Sequence, residues 1–191
     1  GVGRSTSPVN NDYSMDRMVR DFEEIRKQLG IEQWVIMGHS FSGTTVTGYA
    51  LRHPTSIKGM MMFNCVLDIE ESINESWIPY ACSILGITDL SYYNNDAIST
   101  HEKLNSLFRI LNKKDLSWKM TFANKENEAK MNSTFSEIPN WNSDFARVGI
   151  SHKDYIVNFK VYTAQIKSPV LFFYGKSDFT VGPEHYKEVH F

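Results

Sequence analysis

The sequence predicts an α/β fold, and three stretches predict it. Trp34-Val35-Ile36-Met37 is a short apolar run that leads into Gly38-His39-Ser40-Phe41-Ser42-Gly43, and Thr44 to Leu51 then follow, small and apolar enough for a helix packed on a sheet. Residues 57–64 form a second, almost wholly apolar run that contains Met60, Met61 and Met62. Val170-Leu171-Phe172-Phe173-Tyr174 is a third, closed by Gly175 with Asp178 three residues on. Short apolar strands alternating with helical patterns build a mostly parallel sheet flanked by helices.

Along the chain, Gly1-Val2-Gly3-Arg4-Ser5 opens with two glycines in three residues. Thr6 stands where a dinucleotide fingerprint needs its third glycine, and no strand precedes the turn, so that reading fails. A helix follows. Ser14 suits its N-cap and Asp16 the positive end of its dipole. Met15, Met18, Val19, Phe22, Ile25 and Leu29 recur at three- and four-residue steps as one apolar stripe, and Gly30 stops the helix. Arg17, Arg20, Glu23, Glu24, Arg26 and Lys27 form the opposite face, read as solvated.

Strand 34–37, the glycine-flanked turn and its helix come next, and the helix ends near Arg52-His53-Pro54 because proline stops it. The unalternating strand at 57–64 suits a parallel strand covered on both faces, with its methionines as core. From Glu70 the composition turns to Asn, Ser, Lys and Glu. Apolar residues fall at helical spacing over 77–85, 104–111, 118–129 and 152–162, so 70–158 is expected to be a helical insertion. Its aromatics, Trp77, Tyr80 and Phe145 among them, are expected mainly as the insertion's own core. The core domain is then 1–69 and 159–191. After the third strand, Pro183 suits the first turn of a last helix.

Composition narrows the function. The 191 residues carry 41% hydrophobic and 22% charged residues with a net charge of -2, which gives no electrostatic case for nucleic acid or an anionic membrane surface. No apolar run is long enough to cross a bilayer. Cys65 and Cys82 read as reduced thiols of a cytoplasmic protein. There is no CxxC, no HExxH and no helical His pair, so no metal is expected.

A strand, an abrupt turn with serine at its apex and a helix are the sequence form of a nucleophile elbow. Gly38 and Ser42 stand at the two small positions of G-x-S-x-G, where strand and helix come close. Ser40 is the candidate nucleophile, and Asp178, just beyond a buried strand, is the candidate carboxylate that orients an imidazole. Asp68, after the second strand, is its rival.

These residues resemble the α/β-hydrolase superfamily, and most nearly the proline iminopeptidase-like, S33 peptidase-type group. The resemblance rests on the glycine-rich opening, the elbow at 38–43, Ala50-Leu51-Arg52-His53-Pro54 at the end of its helix, and Pro169 to Asp178 with Val181 and Pro183. It implies a partial α/β-hydrolase fold with a helical cap at 70–158. It also implies an acyl-enzyme on Ser40, the backbone N–H of Phe41 as half of an oxyanion hole, Asp178 as the acid, and no cofactor. The substrate implied is a small ester, amide or N-terminal peptide bond, and the partner a small molecule or short peptide. The family order is Ser, acid, His, with the histidine one helix and strand beyond the acid. His185 and His190 come too soon, so the base is expected beyond Phe191 and the sequence is expected to be an internal piece, inactive alone. The alternatives are a catalytically inactive ligand-binding relative, or a lyase or acyltransferase on the same scaffold.

Overall fold

The computed structural model describes residues 2–191, so the Gly1 end of the glycine-rich opening lies outside the described residues. Helix α1 spans Met15–Gln28, with the Ser14 hydroxyl accepting from the Arg17 N–H and Gly30 in the left-handed region at φ 65°. Strand β1 is Trp34–His39, helix α2 Ser42–Arg52 and strand β2 Ile57–Phe63. The short α3, Ile69–Glu71, runs through one wide turn into α4, Ile78–Leu85. Then come α5 (Thr100–Lys113), α6 (Lys125–Ser136), α7 (Asp144–Val148) and strand β3 (Val170–Phe173). The three strands are parallel in the order β1-β2-β3, with His39 beside Phe63 and Phe63 beside Phe173 at their carboxyl ends.

The chain packs as two compact units. The first holds the chain up to Ile69 together with Asn140–Gly175 and Glu184–Phe191, and so contains the sheet. The second holds Glu70–Pro139 and Lys176–Pro183. The expected insertion, 70–158, has the same first residue as the second unit, but 140–158 pack with the sheet. Asn142 and Gly3 exchange both backbone hydrogen bonds at 2.9 Å, and the Tyr155 hydroxyl donates to the Tyr13 carbonyl at 2.9 Å. Residues 176–183 belong with the helices: Phe179 stacks on Tyr80, and its carbonyl accepts from Ser76 Oγ at 2.9 Å.

Two expected helices do not form. Residues 152–162 are turns that lead into a tight helical turn at Lys160–Gln165. Beyond Pro183 the chain stays in turns, with Glu188 at φ 66°. Side-chain contacts decide that segment: Tyr186 stacks on Tyr174 at 4.3 Å, and Phe191 packs on Phe172. Strand β2, expected to be covered on both faces, buries Met60 and Met62 and half-buries Met61 and Phe63. Trp34 and Gly38 face α2, through Tyr49 and Val46. Their neighbours Val35 and Met37 are 56% and 67% exposed, and on β3 Leu171 and Phe173 are 53% and 59% exposed. On β1 and β3 the face turned away from α2 is thus apolar and exposed at these residues.

The face of α1 read as solvated hides one exception. Glu23 is buried, held by Arg26 through Nε–Oε1 at 2.9 Å and Nη2–Oε2 at 2.8 Å. The wholly buried Tyr49 of α2 donates its hydroxyl to the same carboxylate, and Trp34 Nε1 donates to Tyr49 Oη at 3.1 Å. Arg26 Nη1 also donates to the Ile31 and Glu32 carbonyls. This network ties α1, α2 and the start of β1 together. Hydrogen bonds from Arg26 hold the Glu23 carboxyl well below the usual range, and burial pushes the Tyr49 phenol up to about 12. Both cysteines are free and buried, and burial pushes the Cys65 thiol up to about 12. Among the described residues no helix is long and apolar enough to cross a membrane, and no cluster of side chains could hold a metal.

Removing one partner of a buried hydrogen bond costs the desolvation of what is left. Tyr49→Phe is therefore expected to lower stability by about 1–3 kcal/mol in urea unfolding. Glu23 has a depressed pKa when folded, so its contribution is full above the ordinary carboxylate range and is lost as the pH falls below it. The stability gap between the protein and Glu23→Gln should shrink accordingly between neutral and acid pH.

Candidate active site

Ser40 sits between β1 and α2 with φ 53°, a left-handed conformation that a serine adopts only under tertiary constraint. Several bonds supply that constraint. The Ser40 N–H donates to the Phe63 carbonyl at 3.3 Å, and the Ser40 carbonyl accepts from Val66 N at 2.9 Å and Gly43 N at 3.0 Å. The turn is thus pinned to the end of β2 as well as to its own helix. One strand further, Asn64 N donates to the Phe173 carbonyl at 2.8 Å.

The small residues divide their work differently from the sequence expectation. At Gly38 an added Cβ would lie 2.8 Å from Val46 Cγ2 and 3.3 Å from Cys65 Sγ. At Gly43 it would lie 2.6 Å from both Cys65 Cβ and the Val66 carbonyl oxygen. Close approach is therefore enforced at Gly38 and Gly43. Ser42, at the second small position of the motif, carries a side chain with a local use: its hydroxyl accepts from His39 N at 2.8 Å and donates to the His39 carbonyl at 2.7 Å. It closes the turn on itself.

Phe41 follows Ser40 at the N-terminus of α2. Its backbone N–H meets no acceptor among the described residues, as expected for the first N–H groups of a helix, which point outward and favour negative charge. Its ring is held edge-on against Phe145 at 5.5 Å and tilted against Tyr155 at 5.3 Å. Gly149 makes room for this: an added Cβ would come within 3.3 Å of Phe41 Cζ. The residues that grip Phe41 lie in the segment the sequence reading assigned to the insertion. Their aromatic character was visible there, but their partner was not. A cavity of about 620 Å³ along α1, lined by Ser5, Pro8, Tyr13, Arg17 and Phe145 among others, does not include Ser40.

Asp178 lies in the second unit, five residues after the end of β3. One carboxylate oxygen accepts from the Thr180 and Val181 N–H groups, each at 3.0 Å, and its carbonyl accepts from Gly182 N at 2.9 Å. The side chain therefore shapes its own turn. Asp68, the rival acid, follows β2 in the first unit and is half-buried.

His185, read as coming too soon after the acid to be the base, has a structural use. It is buried at 3% exposure, and its Nε2 accepts from Leu67 N at 2.9 Å and more weakly from Asp68 N at 3.4 Å. An imidazole that accepts at Nε2 is neutral and carries its proton on Nδ1. Burial, and then the Lys160 charge, pull its pKa down to about 3. It clamps the end of the chain onto the loop after β2.

A family described as "alpha/beta hydrolase fold" has a sequence model that matches residues 1–190. The chain is 31% identical over 77 residues to a proline iminopeptidase of Saccharolobus solfataricus, a match that covers 39% of this chain and 25% of that protein. It is 38% identical over 63 residues to a proline iminopeptidase of Neisseria meningitidis, covering 32% of this chain and 20% of the relative. These matches thus span a quarter or less of the curated relatives. Among solved structures, a proline iminopeptidase-related protein from Thermus thermophilus superposes with a TM-score of 0.73 at 16% identity, over 98% of this chain and 63% of that one.

Two outcomes follow from this geometry. Gly43→Ala forces a Cβ into backbone and is expected to cost about 1–3 kcal/mol, more than Ser42→Ala, in paired denaturation curves. For His185 the folded pKa lies below the unfolded one. Its stabilising contribution is full above about 6.5, the ordinary histidine value, and falls toward pH 3 with a slope of at most about 1.4 kcal/mol per unit. His185→Gln should flatten stability against pH across that window. An unchanged slope would mean that the imidazole is already charged in the folded protein.

Proposed function

This chain belongs to the α/β-hydrolase fold family, and on that premise we propose that it contributes the nucleophile and the acid of a serine hydrolase. Its substrate would be a small ester, amide or N-terminal peptide bond, cleaved through an acyl-enzyme on Ser40. The observation that carries the reading is the conformation of Ser40, at φ 53° on a turn tied to β2, next to an N–H of Phe41 that no described residue uses. The proline iminopeptidases it resembles favour the peptide end of that substrate range.

In this mechanism Ser40 Oγ attacks the carbonyl carbon, and the substrate oxygen takes up the electron pair of the broken π bond. The Phe41 N–H, with the α2 dipole behind it, faces that developing charge; one such donor is worth about a hundredfold or more in rate. A serine hydroxyl needs a base to take its proton. His185 is unsuited, because its Nε2 lone pair already accepts from the Leu67 amide. The base in this proposal is a histidine outside the described residues, as the family order of Ser, acid and His implies. Asp178 orients that imidazole and stabilises its charged form. When the carbonyl re-forms, the bond to the leaving alcohol or amine breaks and that group takes the proton from the histidine. Water, deprotonated by the same base, then attacks the acyl group and releases it from Ser40 as the acid, and no cofactor takes part.

The test uses the whole polypeptide that contains this sequence and a fluorophosphonate probe. Labelling is expected in the wild type and absent in Ser40→Ala. Labelling that persists in the variant removes Ser40 from the mechanism, and a wild type that never labels favours a non-catalytic relative. Asp178→Asn keeps an oxygen to accept from Thr180 and Val181 but loses the charge. It is expected to fold normally and to lose about ten-thousandfold in turnover.

A further inference from the structure

The second unit carries a feature that the hydrolase reading does not use. On α5, Lys103, Leu107 and Leu111 follow at steps of four and share one face. Leu107 and Leu111 are wholly buried, and Lys103 is 6% exposed. A lysine thus stands on the buried stripe of an amphipathic helix. Burying an ammonium without an acceptor is costly, yet no described residue accepts a hydrogen bond from it or pairs with it. Among the described residues the polar side-chain atoms that are both sealed and unpaired are the hydroxyls of Tyr13 and Thr47, so the Lys103 ammonium is not sealed in. Lys103 lines a cavity of about 440 Å³.

The rest of the wall describes what the cavity would accept. Ile78, Pro79, Leu90 and Ile98 supply an apolar side, and the exposed side chains of Asn74 and Asn94 supply amide groups with no partner among the described residues. The N-terminus of α5 enters at Ser99 and Thr100. Ser99 is occupied in a capping box with Glu102, so the positive end of the helix contributes field and not a free hydroxyl. The one carboxylate of the wall, Asp96, is exposed and makes no ion pair with Lys103. It sets an upper limit on charge, since a second negative group on a ligand would meet it.

We propose that this cavity binds a small organic monoanion, with its carboxylate on Lys103 and its apolar body against Ile78, Leu90 and Ile98. The size fits the low end of ligand cavities, and the wall sets an apolar side of four residues beside a lysine, amides and hydroxyls. The site lies wholly within the second unit and stands apart from the role of Ser40.

Calorimetric titration of the whole polypeptide tests the proposal, with benzoate as the carboxylate probe, benzamide as its neutral counterpart and inorganic phosphate as the more highly charged oxyanion. Benzoate is expected to bind saturably, and benzamide and phosphate each at least about tenfold more weakly. Lys103→Met keeps the stripe apolar and should weaken benzoate about tenfold or more, while Lys103→Arg should keep most of the affinity. Asp96→Asn, an exposed change that does not threaten the fold, should tighten benzoate and phosphate by about two- to fivefold. It decides the matter alone if Lys103→Met fails to fold. Equal binding of benzoate and benzamide, no saturable binding, no response to either charge change, or a preference for phosphate would each overturn the proposal.

Discussion

The first unit depends on one close approach, that of the N-terminus of α2 to the loop after β2. Gly43 lies so near Cys65 and Val66 that even a methyl group has no room. The same contact lets Val66 N reach the Ser40 carbonyl and brings the Ser40 N–H to the Phe63 carbonyl. The left-handed conformation at Ser40 is therefore a consequence of packing between two neighbouring strand ends. It is not a local preference of serine, which would relax elsewhere. The cost of that conformation is offset by burial around it: Cys65, Val66 and Leu67 on the loop and Val46 on the helix are all core residues.

Around that contact the unit adds two layers of support. Behind β1, the Trp34–Tyr49–Glu23–Arg26 network fixes α1 against α2 with every polar group paired, which is the condition under which buried charge is tolerated. At the carboxyl edge, Phe41 is gripped by Phe145 and Tyr155, and Tyr155 is in turn tied to Tyr13. His185 holds the end of the chain on the Leu67 amide at the same loop. The opposite face of the sheet is left apolar and open at Val35, Met37, Leu171 and Phe173.

The elements that local sequence determines were legible. The stripe of α1 with its Ser14 cap, the three parallel strands and the serine turn all follow from periodicity, capping chemistry and glycine placement. What escaped depends on partners far along the chain. Glu23 looks like any surface residue three before an arginine, and only the Tyr49 hydroxyl below shows that it is buried. Phe145 and Tyr155 have the same composition as the helices before them, and nothing local says that they pack on Phe41. Pro183 suits a helix start, but the stacking of Tyr186 and the clamp at His185 hold that stretch in turns. Ser42 reads as a stand-in for glycine, whereas its hydroxyl closes the turn and Gly43 is the residue without an alternative.

The central claim is that this packing presents Ser40 as an acyl acceptor. Rapid acid quench of the whole polypeptide with p-nitrophenyl acetate, followed by mass spectrometry of its peptides, tests that most directly. The account predicts a burst of nitrophenol with one acetyl group on the peptide that contains Ser40, and loss of both when Gly43→Ala distorts the turn. Acetyl groups on another residue, or an adduct on Ser40 that forms equally well in the Gly43→Ala protein, would contradict it.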